Sequence, residues 1–498
     1  MATASPKGKK ARARLNSRIR IFAILWFVLV AVTLVCLVFL FRNVMNYSSA
    51  DEPPSSGGLL FSIHAGKKGD FVRHYVHDLM SKNNKDPARQ ASEVVDNNPQ
   101  QANSNNLVGA TLPRPNPEEA VTVAYAVSVT GCGADPLTEG AAVLKHSIHR
   151  ASIRGDMGGR YNYKMYAIYH PKAIACAKTL EALGYELLER ETFVKVSEIQ
   201  GEFLRNNIEK NGCCGEKEFI KLEAYTLIQH PIVVHLDLDV LVLRPLDNLF
   251  DVMMASEHNK GADVPLDLSH IEPMYPPKDG GLVPHQVNAF FTRDYNMVSS
   301  KKKYKPVQGG FLVLRPSMDV YNEFKSIALK GDFRSSGGWG GIVGPFYGAM
   351  TFQGIMPYFY DVLHPGQAVE LNRCVVNNMA DNPRDKKTVN DVVHGNCRTG
   401  KDECEDCRTR DIEQVLTTHY TLCQKPWICI PHDQNMIQHR LCRKLHHEWF
   451  RIRSELEASW GRSGSGAGEW QKDQFMGYCK QPGNKGYLPI ATPYGVAA

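Results

Sequence analysis

Asp237 and Asp239 are the residues best placed to do chemistry. They stand in PIVVHLDLDVLVLRPLDNLFD, residues 231–251, where apolar and β-branched residues run up to Asp-Leu-Asp and continue beyond it. Two carboxylates two positions apart on a regular strand point the same way, and such a pair can hold a divalent cation. The plainer reading, that the acids merely end a strand, is the weaker one, because so apolar a strand rarely ends in two unpaired carboxylates. THYTLCQKPW adds His419, and six residues later Lys425, Pro426 and Trp427. An imidazole beside carboxylates makes a donor set that suits Mn2+ better than Ca2+, and a lysine is the compact positive charge used to hold phosphate. Taken singly, an isolated histidine is more often no ligand at all, and KPW by itself specifies nothing.

The elements that must position these groups follow from pattern. The stretch around Asp237 reads as a buried strand covered on both faces, with its carboxyl end where ligands collect in α/β sheets. VTVAYAVSV from Val121 is a first strand, followed by a turn with Gly131 and Gly133 and a helix through Ala141 to Ile148. MYAIYH is a second strand, and a helix over Ala173 to Leu183 leads into YELLE. This alternation predicts a mostly parallel, doubly wound α/β sheet. The glycine turn lacks both GxGxxG and a Walker lysine, so alone it is a weak phosphate-loop signal. Glu218 to Gln229 is expected to be the helix feeding the acidic strand. Residues 256–306 read as an irregular, proline-rich loop able to receive an acceptor, and Gly309 to Ser317 as another strand whose Gly309 and Gly310 permit close approach. Residues 335–344 hold five glycines and Trp339, which suits a mobile or closely packed loop. Leu441, Leu445, Trp449, Ile452 and Leu456 mark one face of a C-terminal helix, with His446 and His447 expected on its solvated surface.

At 498 residues the chain is long enough for two or three domains. Its net charge of +6 includes seven basic residues and no acid within residues 1–20, leaving about −1 for the rest, so nucleic-acid binding has no compositional support. Ile21 to Phe41 carries no charge and is closed by Arg42; as a helix it spans roughly 30 Å, a bilayer core. With the basic tail cytosolic, this reads as a single-pass type II anchor rather than a cleaved signal peptide. Residues 42–118 are polar and proline-rich, the composition of a flexible stem, interrupted by one short amphipathic helix (Phe71, Val72, Tyr75, Val76, Leu79, Met80) that Asp70 could cap. Asn46-Tyr47-Ser48 is a glycosylation sequon. Twelve of the 13 cysteines follow the apolar segment, eight of them between Cys374 and Cys479. Disulfides are the expectation in an oxidising lumen, ahead of zinc held by Cys374, Cys397, Cys404 and Cys407. SGSGAG at 463–468 reads as a flexible break.

Taken jointly, these stretches resemble glycosyltransferase family 8, the glycogenin-like enzymes, over roughly residues 121–430. KLEAYTL resembles that family's KL-x-x-W-x-L helix, with Tyr225 for Trp; HLDLDVLVLRPLDNLFD is similar to its DxD segment. VQGGFLVLRPS resembles its FNxGVxVxxPS strand, TFQGIMPYFY its DQGxLN segment, and HYTLCQKPW its HxxGxxKPW signature. The resemblance implies a Rossmann-like GT-A fold and a retaining, Mn2+-dependent enzyme that moves a hexose or hexuronic acid from a nucleotide sugar, expected to be a UDP-sugar. The acceptor would be a glycan, lipid or protein. Asp237, Asp239 and His419 would bind the metal. Lys425, Lys221, Thr130, Leu238, Gly310 and Trp427 would form the nucleotide-sugar site, with Gln308 and Gln353 facing the sugar. The sequence departs from the family at Phe352, which replaces the acid before Gln353, and at Leu422, which replaces a glycine between His419 and Lys425.

The expected organisation is a cytosolic tail (1–20), anchor (21–41), stem (42–118), catalytic domain (119–435) and small helical, cysteine-rich C-terminal extension (436–498), on a Golgi or other secretory-pathway membrane. Two other readings stand: a membrane-tethered sugar-binding protein without catalysis, and a haloacid-dehalogenase-like phosphatase, whose DxDx[TV] strand HLDLDV also fits but whose downstream acidic pair is missing.

Overall fold

The computed structural model describes residues 115–133, 137–258, 270–272, 284, 286–385, 396–401, 403–461 and 477–490, which belong to one of the chain's two compact units, Leu107–Ala498. The basic tail, the apolar span 21–41, the sequon, the amphipathic helix near 71–80 and the SGSGAG break lie outside the described residues. Among the described residues, no helix is long and apolar enough to cross a membrane.

Strands β1 (Thr122–Val129), β2 (Asn162–Tyr169), β3 (Glu186–Glu189), β4 (Val233–Leu236), β6 (Ile271–Glu272), β7 (Ala289–Arg293), β8 (Val307–Leu314) and β11 (Ala368–Leu371) form an eight-stranded sheet in the order β3-β2-β1-β4-β8-β7-β11-β6. Two short pairs lie outside it: β9 (Phe333–Arg334) with β10 (Gly338–Trp339), and β5 (Val240–Val242) with β12 (Thr417–His419). Helices α1 (Leu137–Ala151) and α2 (Ile174–Ala182) are the crossovers that the alternation predicts.

Side-chain alternation explains why both faces are covered. Val123, Tyr125, Val127 and Val129 of β1 pack into one core with α1, α2, α4 (Asp247–His258) and α7 (Ile437–Ser459). Ala124 and Ala126 face a second core with α3 (Glu202–Asn207), α5 (Met318–Lys330) and α6 (Phe352–Pro357). A sheet with both faces buried needs continuous apolar strands, as β8 shows: all eight of its residues are buried. Its continuation also sets a helix start. Ser317 Oγ accepts the Val320 N–H (3.4 Å), and Gly331, with φ of 64°, closes α5 at its other end.

The sheet is mixed rather than uniformly parallel. β1–β2, β1–β4, β2–β3 and β7–β11 are parallel; β4–β8, β7–β8 and β6–β11 are antiparallel. The antiparallel strand β8 is inserted at the centre, which sequence alternation alone cannot reveal. Part of the expected loop 256–306 is in fact β7, whose five residues AFFTR are all buried.

The acidic stretch is also not one strand. It breaks after Leu236, turns through Asp237-Leu238-Asp239 with the Val240 N–H donating to the Asp237 carbonyl (3.1 Å), and resumes as β5. The expected helix at Glu218–Gln229 is instead a 3₁₀ helix over Gly215–Thr226. Its three-residue repeat stacks Phe219, Leu222 and Tyr225, all fully buried, on the core side.

Five disulfides link Cys132–Cys176, Cys374–Cys407, Cys397–Cys404, Cys423–Cys442 and Cys429–Cys479. The four cysteines considered for zinc are therefore taken up by two bridges. The apolar stripe of α7 is buried as its spacing predicts, but His446 is buried with it rather than solvated: Tyr420 and the loop after Trp427 cover that side of the helix.

Candidate active site

Two strand ends and a turn bring together residues far apart in sequence. The Asp237 N–H donates to the Gly310 carbonyl (3.0 Å), which fixes the start of the acidic turn against β8. β5 then pairs antiparallel with β12, with Val240 opposite His419, and the Tyr420 N–H donates to the Asp239 carbonyl (2.9 Å). His419 Nε2 consequently stands 3.3 Å from Asp239 Oδ1 and 4.0 Å from Asp237 Oδ2. One ligand atom from each of the three residues lies within 4.8 Å of the others.

Two lysines flank the trio. Lys221 Nζ donates to Asp237 Oδ1 (2.7 Å) and to the Gly309 carbonyl (3.1 Å). It reaches them because the 3₁₀ repeat puts Glu218 and Lys221 along the cleft side of that helix. Lys425 Nζ lies 3.8 Å from Asp239 Oδ2. Burial works against every charge here and is outweighed by the neighbours. Asp239 is held down to about 2 by His419 and Lys425, His419 is raised by the two aspartates, and the Lys221 ammonium is raised by Asp237.

The trio fits a divalent cation on the chemistry of its donors: two carboxylate oxygens and one imidazole nitrogen converge, a set suited to Mn2+. The backbone makes room for the imidazole, since a Cβ on Gly310 would come 2.3 Å from His419 Cε1.

These groups line a cleft of about 470 Å3, together with Thr130, Leu238, Gln308, Gln353 and Trp427. Gly310 lies behind the His419 ring rather than on the cleft wall. Gln308 is turned inward: its Oε1 accepts the Gly310 N–H (2.6 Å) and the Asn377 amide (3.1 Å). Phe352 is fully buried in the second core, with Lys221 Nζ 5.9 Å from its ring centre, so no carboxylate from that position reaches the cleft. Leu422 is 46 % exposed and lies off the cleft wall.

Other groups in or behind the cleft wall carry little or no sequence signal. Asp294, just after β7, is buried, and its Oδ1 has no hydrogen-bond partner; burial, helped by Asp381, pushes its carboxyl up to about 6. The signal is an acid closing an apolar strand, masked because the proline-rich stretch around β7 suggests a loop. Asn377, at a left-handed φ of 57°, ties Gln308 to Thr292 (2.8 Å) and has no sequence signature. Cys213 and Cys214 are thiols at the cleft mouth, with Cys213 Sγ 2.7 Å from both Cys214 Sγ and Glu218 Oε1.

No family model matches the chain, and no curated protein does. Among solved structures, it is similar at 13% identity to mouse xyloside xylosyltransferase 1 in its apo form, with a TM-score of 0.34, covering 60% of this chain and 97% of that one. It is likewise similar to the galactosyltransferase LgtC in complex with donor and acceptor sugar analogues (13% identity, TM-score 0.34, 68% of this chain and 96% of that one). A third similar structure is the glycosyltransferase GlyE of Streptococcus pneumoniae (13% identity, TM-score 0.34, 69% and 64%).

Proposed function

We propose that the chain is a metal-dependent glycosyltransferase of GT-A type that transfers a hexose or hexuronic acid, with retention, from a UDP-sugar to a glycan, lipid or protein acceptor. The observation that carries this reading is the convergence of Asp237, Asp239 and His419 beside Lys221 and Lys425 in one cleft at the end of the sheet. Asp237, Asp239 and His419 would hold Mn2+, which when bound supplies a Lewis acid for the charge that develops on the leaving diphosphate.

The chain's own residues divide the remaining work. Lys425 offers its ammonium to the same developing charge from the far side of Asp239. Lys221, fixed on Asp237 and the Gly309 carbonyl, orients the first carboxylate rather than the donor. Gln353 faces the sugar from α6. Gln308, locked on the Gly310 N–H, holds the backbone on which the His419 ring rests. Thr130, Leu238 and Trp427 supply the walls of the nucleotide pocket. The five disulfides agree with an oxidising compartment, and with residues 21–41 as anchor the catalytic part would face a Golgi or other secretory lumen.

Incubating the protein with a panel of UDP-sugars, with and without Mn2+, tests the reading. Metal-dependent release of UDP is the expected result. Binding of a UDP-sugar without any release would indicate a sugar-binding protein instead, and release of inorganic phosphate from phosphate monoesters would indicate a phosphatase.

A further inference from the structure

Two thiols at the mouth of the cleft stand apart from the disulfide chemistry of the rest. Among the described residues, Cys213 and Cys214 are the only cysteines outside the five bridges. They come just before the 3₁₀ helix that begins at Gly215, and both line the cleft with Thr130, Glu218 and Lys221. Their sulfurs are 2.7 Å apart. Two thiolates on one tetrahedral zinc would stand roughly 3.7 Å apart, whereas a disulfide needs about 2.05 Å. The pair is closer to bridging than to chelating.

The backbone holds the two sulfurs there. Gly212 and Gly215, with φ of 68° and 61°, flank the pair, and the Gly215 N–H donates to the Asn211 carbonyl (3.1 Å). A side chain is excluded at the second of these, since a Cβ on Gly215 would come 2.6 Å from the Glu209 carbonyl oxygen. Asn211 Oδ1 in turn accepts the Met350 N–H (3.0 Å), three residues before Gln353. The loop thus joins the helix carrying Glu218 and Lys221 to the segment carrying Gln353.

We propose that Cys213 and Cys214 form a reversible thiol–disulfide site that sets how well the cleft accepts its donor. The oxidant is a small disulfide of the glutathione class. The Cys214 sulfur attacks it and releases one small thiol, and the Cys213 sulfur then displaces the second from Cys214. The protein loses two electrons and two protons, and the small disulfide gains them as two thiols. The hydrogen bond between the protein sulfurs fits these roles. With help from Thr130 and Lys221 it draws the Cys214 thiol down to about 7, and it pushes that of Cys213 up, reinforced by burial and Glu218.

Chain geometry makes this bridge labile. Neighbouring residues across a trans peptide have Cα atoms about 3.8 Å apart, short of the roughly 4.4 Å at which ordinary disulfides begin. The five other bridges span Cα separations of 4.7 to 5.8 Å. A bridge between neighbours is strained and is reduced the more readily. Bridging also withdraws a proton from the cleft. In the dithiol form Cys213 Sγ donates to Glu218 Oε1 (2.7 Å), one turn of the 3₁₀ helix before Lys221. In the disulfide neither sulfur has a proton to give, and the Glu218 carboxylate meets the incoming diphosphate with its charge less compensated. The consequence for the donor rests on the transferase reading; the exchange chemistry does not.

The test equilibrates the full, folded chain in reducing and in oxidising glutathione mixtures, followed by alkylation and non-reducing peptide mapping. The expected result is a peptide with both Cys213 and Cys214 alkylated after the reducing mixture and neither after the oxidising one, while the five other bridges stay intact in both. Cys213→Ser should trap glutathione on Cys214. UDP binding with Mn2+, measured by calorimetry, should be at least about fivefold weaker in the oxidised wild type, and equal in both mixtures for the Cys213→Ser, Cys214→Ser double variant. Both cysteines alkylated after oxidation would overturn the proposal, as would a 213–214 bridge that opens only together with the other five. Equal UDP affinity of the two wild-type forms would overturn it too. If UDP binds neither form, the transferase reading fails, and the alkylation pattern alone decides the thiol–disulfide site.

Discussion

Asp239 is the residue on which most of the site's electrostatics meet: His419, Lys425 and the acidic turn all bear on its carboxylate. Asp239→Asn keeps the shape and removes the charge, so metal-dependent UDP release should fall by at least about 10²–10³-fold with an unchanged circular dichroism spectrum. An unaltered rate would remove the metal assignment. Gly310 makes a subtler point. It takes no special φ, yet Gly310→Ala would drive a Cβ into the His419 ring. Its expected result is a folded protein whose Mn2+ requirement shifts as far as that of His419→Ala; wild-type Mn2+ dependence would show that the ring has room to move.

A third residue gives a pH dependence outside the site. Burial pushes the Asp247 carboxyl up to about 6, although it accepts the Arg160 N–H (2.8 Å). An acid whose folded pKa is raised contributes stability below its unfolded value, near 4, and loses it as pH rises through the folded value. The wild type should therefore lose on the order of 2–3 kcal/mol relative to Asp247→Asn between pH 4 and pH 7. Urea midpoints measured at both pH values check this, and a pH-independent difference would contradict it.

At the scale of elements, β7 shows how an unexpected strand is held. Arg293 at its end is fully buried between Asp361 (2.8 Å) and Glu370 (3.4 Å), and donates to the Lys305 carbonyl (3.0 Å). Removing the cation takes the guanidinium away from two buried acids. Arg293→Met should cost about 3–5 kcal/mol, read from the urea midpoint; a loss below about 1 kcal/mol would mean that both acids are protonated in the fold. Because β7 leads directly into Asp294 on the cleft, the same variant should also weaken donor binding.

At the scale of the molecule, the stretch after residue 436 is continuous with the sheet's own core. Trp449 and Phe450 of α7 belong to the same apolar cluster as Val127 and Leu236. Tyr420 donates to the Leu445 carbonyl (2.7 Å), and Glu139 of α1 accepts the Ile490 N–H (3.0 Å). A chain ending at residue 435 would expose α1 and Trp427 together. It should be recovered insoluble, or without a cooperative melting transition; a soluble, cooperatively folding product would show that the extension is separable.

Local pattern sufficed for what local pattern controls. Apolar runs marked β1, β2, β4 and β8, helical spacing marked the buried stripe of α7, and Asp237, Asp239, His419 and Lys425 stood out because charge beside apolar strands is costly unless used. Pairing was another matter. Whether β8 enters the sheet antiparallel, whether AFFTR is a strand, and whether the chain at 215–226 winds as a 3₁₀ helix depend on which neighbours supply hydrogen bonds and burial. Those neighbours lie tens to hundreds of residues away. The same holds for His446 of α7: residue type suggests a solvated side chain, and only packing against Tyr420 and Gln424 puts it inside. Residue type and local spacing marked the groups capable of reaction, whereas long-range contact set which of them meet, since register and burial are properties of pairs of segments rather than of either one.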